Sequence, residues 1–310
     1  MDIRQLRYFE SVVRNKSLTK AAKELYISQP AMSIQIKALE QEFGGILFYR
    51  NTRKISVTEL GQLLYRHACE ILNQSRNIFK EMEDFKEIGS GELSIGVIES
   101  STYMISKIIL PFRDKYPDLF IKIKNMGAEE IDKALNNYDI HIGINSRKTE
   151  SSNLTSIPLV HEEYVLITPP GHPLKHVDSI DMFELRNENI IQTEQGFYMK
   201  QIIQNACLTA GFELKGLYES GRLDTVRILV ETGLGIAFVP ETYLKYASTS
   251  QFNVVRLKNP TPKRTVYISY HSLRYLPTAI HEFMSQTLNY FRGVSAYTYL
   301  NKCKNHANIN

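Results

Sequence analysis

Two groups of side chains in this chain have types and spacings suited to binding chemistry. The first lies in residues 28–37, SQPAMSIQIK, and in the basic trio Arg50, Arg53 and Lys54. A glutamine amide can pair bidentately with adenine, a lysine can reach guanine or a phosphate, and an apolar side chain can contact the thymine methyl. Gln29, Pro30, Ile34 and Lys37, with Ser33 on the flank and Ser28 at the start, fall on one side of a helical wheel and are the expected base-reading residues. Arg50, Arg53 and Lys54 crowd a short loop and are expected on backbone phosphates or in a minor groove. The second group is spread over the rest of the chain. It comprises the hydroxyls Ser100, Ser101 and Thr102, the Gly127–Ala128 turn, the loop Glu194–Gln195–Gly196, and Arg222 with Thr225. Hydroxyls and free backbone N–H groups at a helix start suit a carboxylate or another anion. Glu99 and Glu194 stand close by in the sequence and would repel a pure anion, which leaves the ligand's charge open.

The elements that position the first group can be read from periodicity. Ile3, Leu6, Phe9, Val12 and Val13 are spaced for a helix over 3–14. Ser17 is a cap for a second helix whose small Ala21–Ala22 pair admits close packing. Ser28 caps a third, with Pro30 tolerated in its first turn and Gly44–Gly45 ending it. On that third helix Met32, Ile36, Leu39 and Phe43 make the stripe expected to pack inward, opposite Ile34. The stretch ILFYRNTRKISVT reads as two short strands around Asn51–Thr52, a wing. Thr58 then caps a helix to about Lys86, roughly 45 Å long at 1.5 Å per residue. Leu64, Ile71, Ile78 and Phe85 lie seven apart, with Ala68, Ser75 and Met82 between them, a heptad seam that predicts pairing of two copies. The stretch EIGSGE, 87–92, reads as a linker.

The segment 17–61, through SLTKAAKEL, SQPAMS, IKALEQEFG, LFYR and VTELG, resembles the N-terminal domain of LysR-type transcriptional regulators. One departure matters. The family often has arginine after the serine of SQPAMS, where this chain has Ile34. We expect Ile34 to read a T·A pair through the methyl group.

From Leu93 onward strands alternate with helices, the pattern of an α/β body with a mostly parallel sheet. The segments PFRDKYP, GHPL at 171–174 and LVETGLGIAFVP at 229–240 extend the resemblance to the regulators' effector-binding domain. That resemblance implies a mixed fold: an N-terminal winged helix-turn-helix (1–58), a linker and dimerisation helix (59–90), and a two-lobed α/β effector-binding domain (91–292) similar to type 2 periplasmic binding proteins. Lobe I would span about 91–161 and 268–292, lobe II about 162–267, with crossings near 161–164 and 265–268 and a tail at 293–310. It further implies double-stranded DNA, a small-molecule effector and a homodimer or homotetramer as partners, with RNA polymerase added for an activator. The family often offers Thr or Ser where Ala128 stands, so one expected hydroxyl is missing.

Composition fits this. The chain carries a net +4, but residues 1–57 hold ten Lys/Arg against five Asp/Glu, a basic head on a near-neutral body. The start lacks the long apolar stretch of a signal peptide, and no run suggests a membrane span, so a cytoplasmic protein is expected. Cys69, Cys207 and Cys303 lack metal-ligand spacing, and neither metal nor cofactor is expected. A redox regulator of the same architecture is the alternative reading. The peroxide-sensing branch implies a reactive cysteine where this chain has Tyr198, which disfavours it. An enzyme or solute receptor is a remoter reading, invited by His161, His172 and His176. No Ser/His/Asp or Cys/His arrangement accompanies them.

Overall fold

The computed structural model describes residues 1–51, 54–86, 91–194, 198–244 and 251–292, with the backbone alone at 50, 51, 54 and 292. The chain divides into two compact units, Met1–Glu83 and the part from Asp84 onward.

The first unit is a helical head. Helices α1 (Ile3–Asn15), α2 (Leu18–Glu24) and α3 (Gln29–Glu42) each start at a capping side chain. Asp2 accepts from the Gln5 N–H at 2.7 Å, Ser17 from Lys20 at 3.3 Å and Ser28 from Ala31 at 3.3 Å. Each cap satisfies one of the N–H groups a helix start leaves without a partner. Leu6, Phe9 and Val12 of α1 close on Ala21–Ala22 of α2 and on Met32, Ile36 and Leu39 of α3. One expected core position is corrected: Phe43 is 40% exposed. Helix α3 ends at Glu42 and Gly44 turns the chain at φ +67°, so Phe43 falls past the packed turns. The wing is strand β1 (Phe48–Asn51) paired antiparallel with β2 (Lys54–Val57), and Phe48 packs on Phe9 with ring centroids 5.4 Å apart.

Thr58 joins wing to helix. Its hydroxyl donates to the Ile46 carbonyl at 2.7 Å and accepts the Gly61 N–H at 2.9 Å, which caps α4 (Glu59–Lys86). The seam of α4 is divided. Leu64, Ala68 and Leu72 are buried in the head core, whereas Ile71, Ile78 and Met82 are exposed, with Phe79 beside them. The expected seam from Leu64 to Phe85 is thus corrected at its N-terminal end, because the head's own helices cover Leu64 and Ala68. The expected linker falls partly on residues 87–90, outside the described residues, as does the tail 293–310.

The second unit contains β3 (Glu92–Val97), α5 (Thr102–Lys115), β4 (Phe120–Asn125), α6 (Ala128–Asn136), β5 (Ile142–Asn145) and β6 (Leu154–Thr168). Then come β7 (Ser179–Asp181), β8 (Ile190–Thr193), α7 (Tyr198–Thr209), β9 (Glu219–Ser220), α8 (Leu223–Glu231) and β10 (Ile236–Pro240). It closes with α9 (Glu241–Leu244), β11 (Asn253–Lys258), β12 (Lys263–His271) and α10 (Thr278–Arg292). The sheet order is β4-β3-β5-β12-β6-β10-β8-β9, with β11 on β6 and β7 on β11. Strand β3 runs parallel to β4 and β5, and β8 parallel to β10 and β9. Strands β6 and β12 run antiparallel to each other and serve both lobes, so the sheet is more mixed than the alternation of strands and helices suggests. The first half of β6 pairs with β12 beside lobe I, and its second half, from Tyr164, pairs with β10 and β11 in lobe II. Each lobe has its own core, one around Leu93, Ile105 and Phe283, the other around Ile167, Val226 and Val255.

The end of α4, from Asp84 to Lys86, belongs to this unit. Asp84 receives Arg274 Nη2 at 2.7 Å, and its other oxygen lies 3.1 Å from His141 Nε2. Arg274 also donates to the carbonyls of Tyr138 and Ile140, and the Ser94 N–H donates to His141 Nδ1 at 3.0 Å. Among the described residues no helix is long and apolar enough to cross a membrane.

Candidate DNA-reading surface and ligand cleft

On the head, packing of one face of α3 presents the other. Gln29, Pro30 and Lys37 are exposed, Ser33 is half-buried and Ile34 is 65% exposed. Ser28 is exposed while its hydroxyl caps the helix. A large aliphatic left open between Lys37 and Gln29 has no packing role in this subunit. Tyr26, which sequence reading passed over, is 96% exposed in the turn just before α3, at φ +56°. Its signal was present in the sequence: an aromatic one step from the Ile27 that closes the turn, with no apolar partner at helical spacing. Of the basic trio, Arg50 and Lys54 stand on the paired strands of the wing, and Arg53 lies outside the described residues.

In the body a cleft opens between the lobes in two connected parts that share Ala128, Glu129, Ser146, Tyr198 and Arg264. The inner part, about 390 Å³, is lined by Ile98, Glu99, Ser100, Gly127, Ala128 and Leu223 among others. The outer part, about 860 Å³, runs along the crossing strands past His161, Glu162, Glu163 and Thr265, with Arg256 and Glu241 on its wall. Both lie within the size range of small-molecule sites.

The expected ligand residues divide accordingly. Ser100, Gly127 and Ala128 line the inner part. Ser101 is fully buried, with its hydroxyl lacking a partner, and does not reach the cleft. The Thr102 hydroxyl is taken up by Asn125 at 2.8 Å. Arg222 projects into solvent, Thr225 is exposed on α8, and Glu194 is an exposed residue whose N–H donates to the Ser220 carbonyl. None of these four lines either part of the cleft. Gln195 and Gly196 lie outside the described residues. The start of α5, where an anion was expected, carries no side-chain cap. Glu99 Oε2 accepts the Leu223 N–H at 3.0 Å, so a carboxylate of lobe I caps α8 of lobe II. Glu130 takes the Gly127 N–H at 2.8 Å in the same manner before α6. Tyr103 on α5 adds a second bridge, its hydroxyl lying 2.9 Å from both Asp224 oxygens, and Tyr243 reaches the same carboxylate at 3.0 Å.

The polar centre of the cleft lies on residues that sequence reading missed. Arg264 Nε donates to Glu162 Oε1 at 2.7 Å, and Glu162 Oε2 takes the Thr242 N–H at 3.0 Å and the Thr242 hydroxyl. Arg264 and Glu162 are nearly inaccessible, and Arg264 Nη2 has no hydrogen-bond partner. Burial pushes the Glu99 carboxyl above its ordinary range, with Asp224 adding to the rise, and burial does the same to Glu241. Arg147, on the wall of the outer part, pairs with Asp132 at 3.2 Å.

The cysteines give little support to redox sensing. Cys207 is fully buried in the core of lobe II, where burial pushes its thiol up to about 12, and burial also raises the half-buried Cys69. A sensor thiol needs thiolate character and access. Cys303 lies outside the described residues. His172 caps its own turn through the Leu174 N–H, and His161 bonds Thr265 across the crossing strands at 2.8 Å. Among the described residues no cluster of His, Cys, Asp or Glu has the arrangement of a metal site.

Comparison with known proteins agrees with the two-part architecture. Residues 3–62 match the bacterial regulatory helix-turn-helix protein model of the lysR family, and residues 87–292 match the LysR substrate binding domain. A probable RuBisCO transcriptional regulator of Cyanidioschyzon merolae is 31% identical over 295 residues, covering 92% of this chain and 97% of its own. The uncharacterized HTH-type transcriptional regulator YwbI of Bacillus subtilis is 30% identical, covering 94% of this chain and 97% of its own. The crystal structure of full-length BenM aligns with a TM-score of 0.58 at 26% identity, covering 94% of this chain and 97% of that one. With family models over both parts of the chain and relatives of 30% identity or more over nearly its whole length, the chain belongs to the LysR family of transcriptional regulators.

Proposed function

We propose that α3 enters the major groove with Gln29, Pro30, Ser33, Ile34 and Lys37 toward the bases, while Ser28, Arg50, Arg53 and Lys54 contact the sugar–phosphate backbone. A small molecule bound between the lobes, against Ser100, Gly127, Ala128 and Arg264, controls that binding. The protein works as a homodimer or homotetramer in the cytoplasm, by binding and without catalysis, and an activating member would also contact RNA polymerase. The observation that carries the reading is the exposed Ile34–Lys37 face on an otherwise well-packed head. An exposed isoleucine there gains from a thymine methyl and gives nothing to the fold.

The test starts from a duplex selected by the full-length protein out of a random pool, followed by single base-pair variants of that duplex. Ile34→Ala is expected to lose about 1 kcal/mol of discrimination at one T·A position and to bind the other variants much as before. Arg50→Ala or Lys54→Ala is expected to weaken binding to all sequences and to reduce the salt slope by about one, as loss of a phosphate contact does. An Ile34→Ala profile identical to the parent's across the whole panel removes Ile34 from base reading.

A further inference from the structure

Arg264 is 6% exposed and Glu241 4% exposed, and both line the outer part of the cleft. Each has a buried polar atom with no hydrogen-bond partner: a donor, Arg264 Nη2, and an acceptor, Glu241 Oε1. The nearest cation to Glu241 Oε1 is Arg256 Nη2 at 3.6 Å, too far for a hydrogen bond. The two are held around one carboxylate. Glu162 binds Arg264 through Oε1 and Thr242, the neighbour of Glu241, through Oε2, which takes both the Thr242 N–H and its hydroxyl. A buried charged donor and a buried charged acceptor left open are each costly, and a ligand that satisfies both recovers that cost.

The lining carries five carboxylates and five Lys/Arg cations, so the outer part has no net sign to favour a pure anion or a pure cation. The inner part adds Glu99, whose Oε1 also lacks a hydrogen-bond partner. A simple organic anion would satisfy Arg264 but would lie against Glu162 and Glu241. A simple amine would satisfy Glu241 but would lie against Arg264 and Arg256. We propose that the effector is a small zwitterion of the amino-acid class, its carboxylate taken by Arg264 and its ammonium by Glu241. This deepens the reading of the cleft as the effector site and rests on it.

The experiment is calorimetric titration of the full-length protein with each of the protein amino acids, beside its des-amino acid and its decarboxylated amine. The expected result is saturable binding of at least one amino acid, with both of its half-molecules about tenfold weaker or worse, the loss of one charged hydrogen bond. Glu241→Gln keeps the shape of the side chain and is expected to weaken that amino acid about tenfold, to leave its des-amino acid unchanged, and to melt like the parent. Arg264→Lys keeps the buried ion pair with Glu162 and removes Nη2, so it is expected to weaken the des-amino acid and the amino acid alike. A des-amino acid that binds as tightly as any amino acid overturns the proposal while leaving an effector cleft in place, and so does Glu241→Gln with undiminished affinity. Absence of binding by every amino acid also overturns it. Amino-acid binding that leaves DNA affinity unchanged supports the ligand assignment and removes its regulatory role.

Discussion

His141 shows how one buried side chain ties several parts of the body to solvent pH. Its Nδ1 accepts from Ser94 and its Nε2 faces Asp84, so the neutral ring with the proton on Nε2 fits the site. Burial holds the imidazole below its ordinary value of 6.5, only partly opposed by the Asp84 carboxylate, and Arg274 lowers it further. The unfolded chain therefore binds a proton at a higher pH than the folded one, and stability rises with pH across that window. The contribution is present above about pH 6.5 and is lost as pH falls through the depressed folded value. His141→Asn keeps an acceptor for Ser94 but does not titrate and cannot reach Asp84. Denaturant midpoints are expected to place it about 1–3 kcal/mol below the parent at neutral pH, with the gap narrowing as pH falls through the depressed folded value. A gap that stays constant with pH would exclude a titrating His141. Residues differ in how far the sequence announces them. Ile34 was legible, because opposition to Met32, Ile36 and Leu39 on a single helix fixes its direction. Arg264 and Glu162 were not. They lie about a hundred residues apart on two crossing strands, and no local pattern marks a pair that only strand register brings to 2.7 Å.

The elements were more legible than the contacts between them. Helix α4 follows from its cap and its period, but Leu64 belongs to two stripes at once. Steps of four lead to Ala68 and Leu72, and steps of seven lead to Ile71 and Ile78. Only the tertiary fold decides that the first stripe packs on the head and the second stays open. The short strands β7 and β9 and the one-turn α9 carry too few residues to show a period. The open stripe predicts the dimer contact. Ile78 is 58% exposed, so Ile78→Asp is expected to leave the melting temperature of the subunit nearly unchanged. Sedimentation equilibrium is expected to show the dimer dissociating about tenfold more readily or worse, since a charge would then face a second apolar stripe. Unchanged sedimentation would place the subunit contact elsewhere. The junction with the wing gives a separate prediction. A Cβ at Gly61 would stand 2.3 Å from the Leu47 carbonyl oxygen and 2.7 Å from Val57, and backbone cannot yield as a flexible side chain can. Gly61→Ala is expected to cost about 1–3 kcal/mol of head stability and to depress DNA binding in proportion. Gly171→Ala meets nothing within 4 Å and serves as the neutral control.

At the scale of the whole molecule, the proposed function makes regulation a coupling free energy between the α3 face and the cleft. One property of the cleft bears on it. Its lobes are already joined without a ligand, by the Glu99 carboxylate on the Leu223 N–H and by Tyr103 on Asp224. An effector therefore acts on a cleft with internal bridges, and it shifts the population of states only by the difference in its affinity for them. Weakening a bridge should change that difference without touching the head. Tyr103→Phe removes the hydroxyl at Asp224 and leaves the ring against Tyr243. The coupling itself must be reciprocal. If saturating effector changes the affinity for the selected duplex by a given factor, saturating duplex changes the affinity for effector by the same factor, of the order of 5–150-fold for ordinary allosteric proteins. The measurement is a square of four dissociation constants, two by DNA titration with and without effector and two by calorimetry with and without duplex. Agreement of the two factors is expected for the parent. For Tyr103→Phe a smaller or larger factor is expected, the same in both directions, with the affinity for DNA alone shifted only through the altered lobe equilibrium. Equal factors of one in the parent, with both ligands bound, would mean that the cleft and the α3 face are independent sites on one chain, and the regulatory reading would fail at that point.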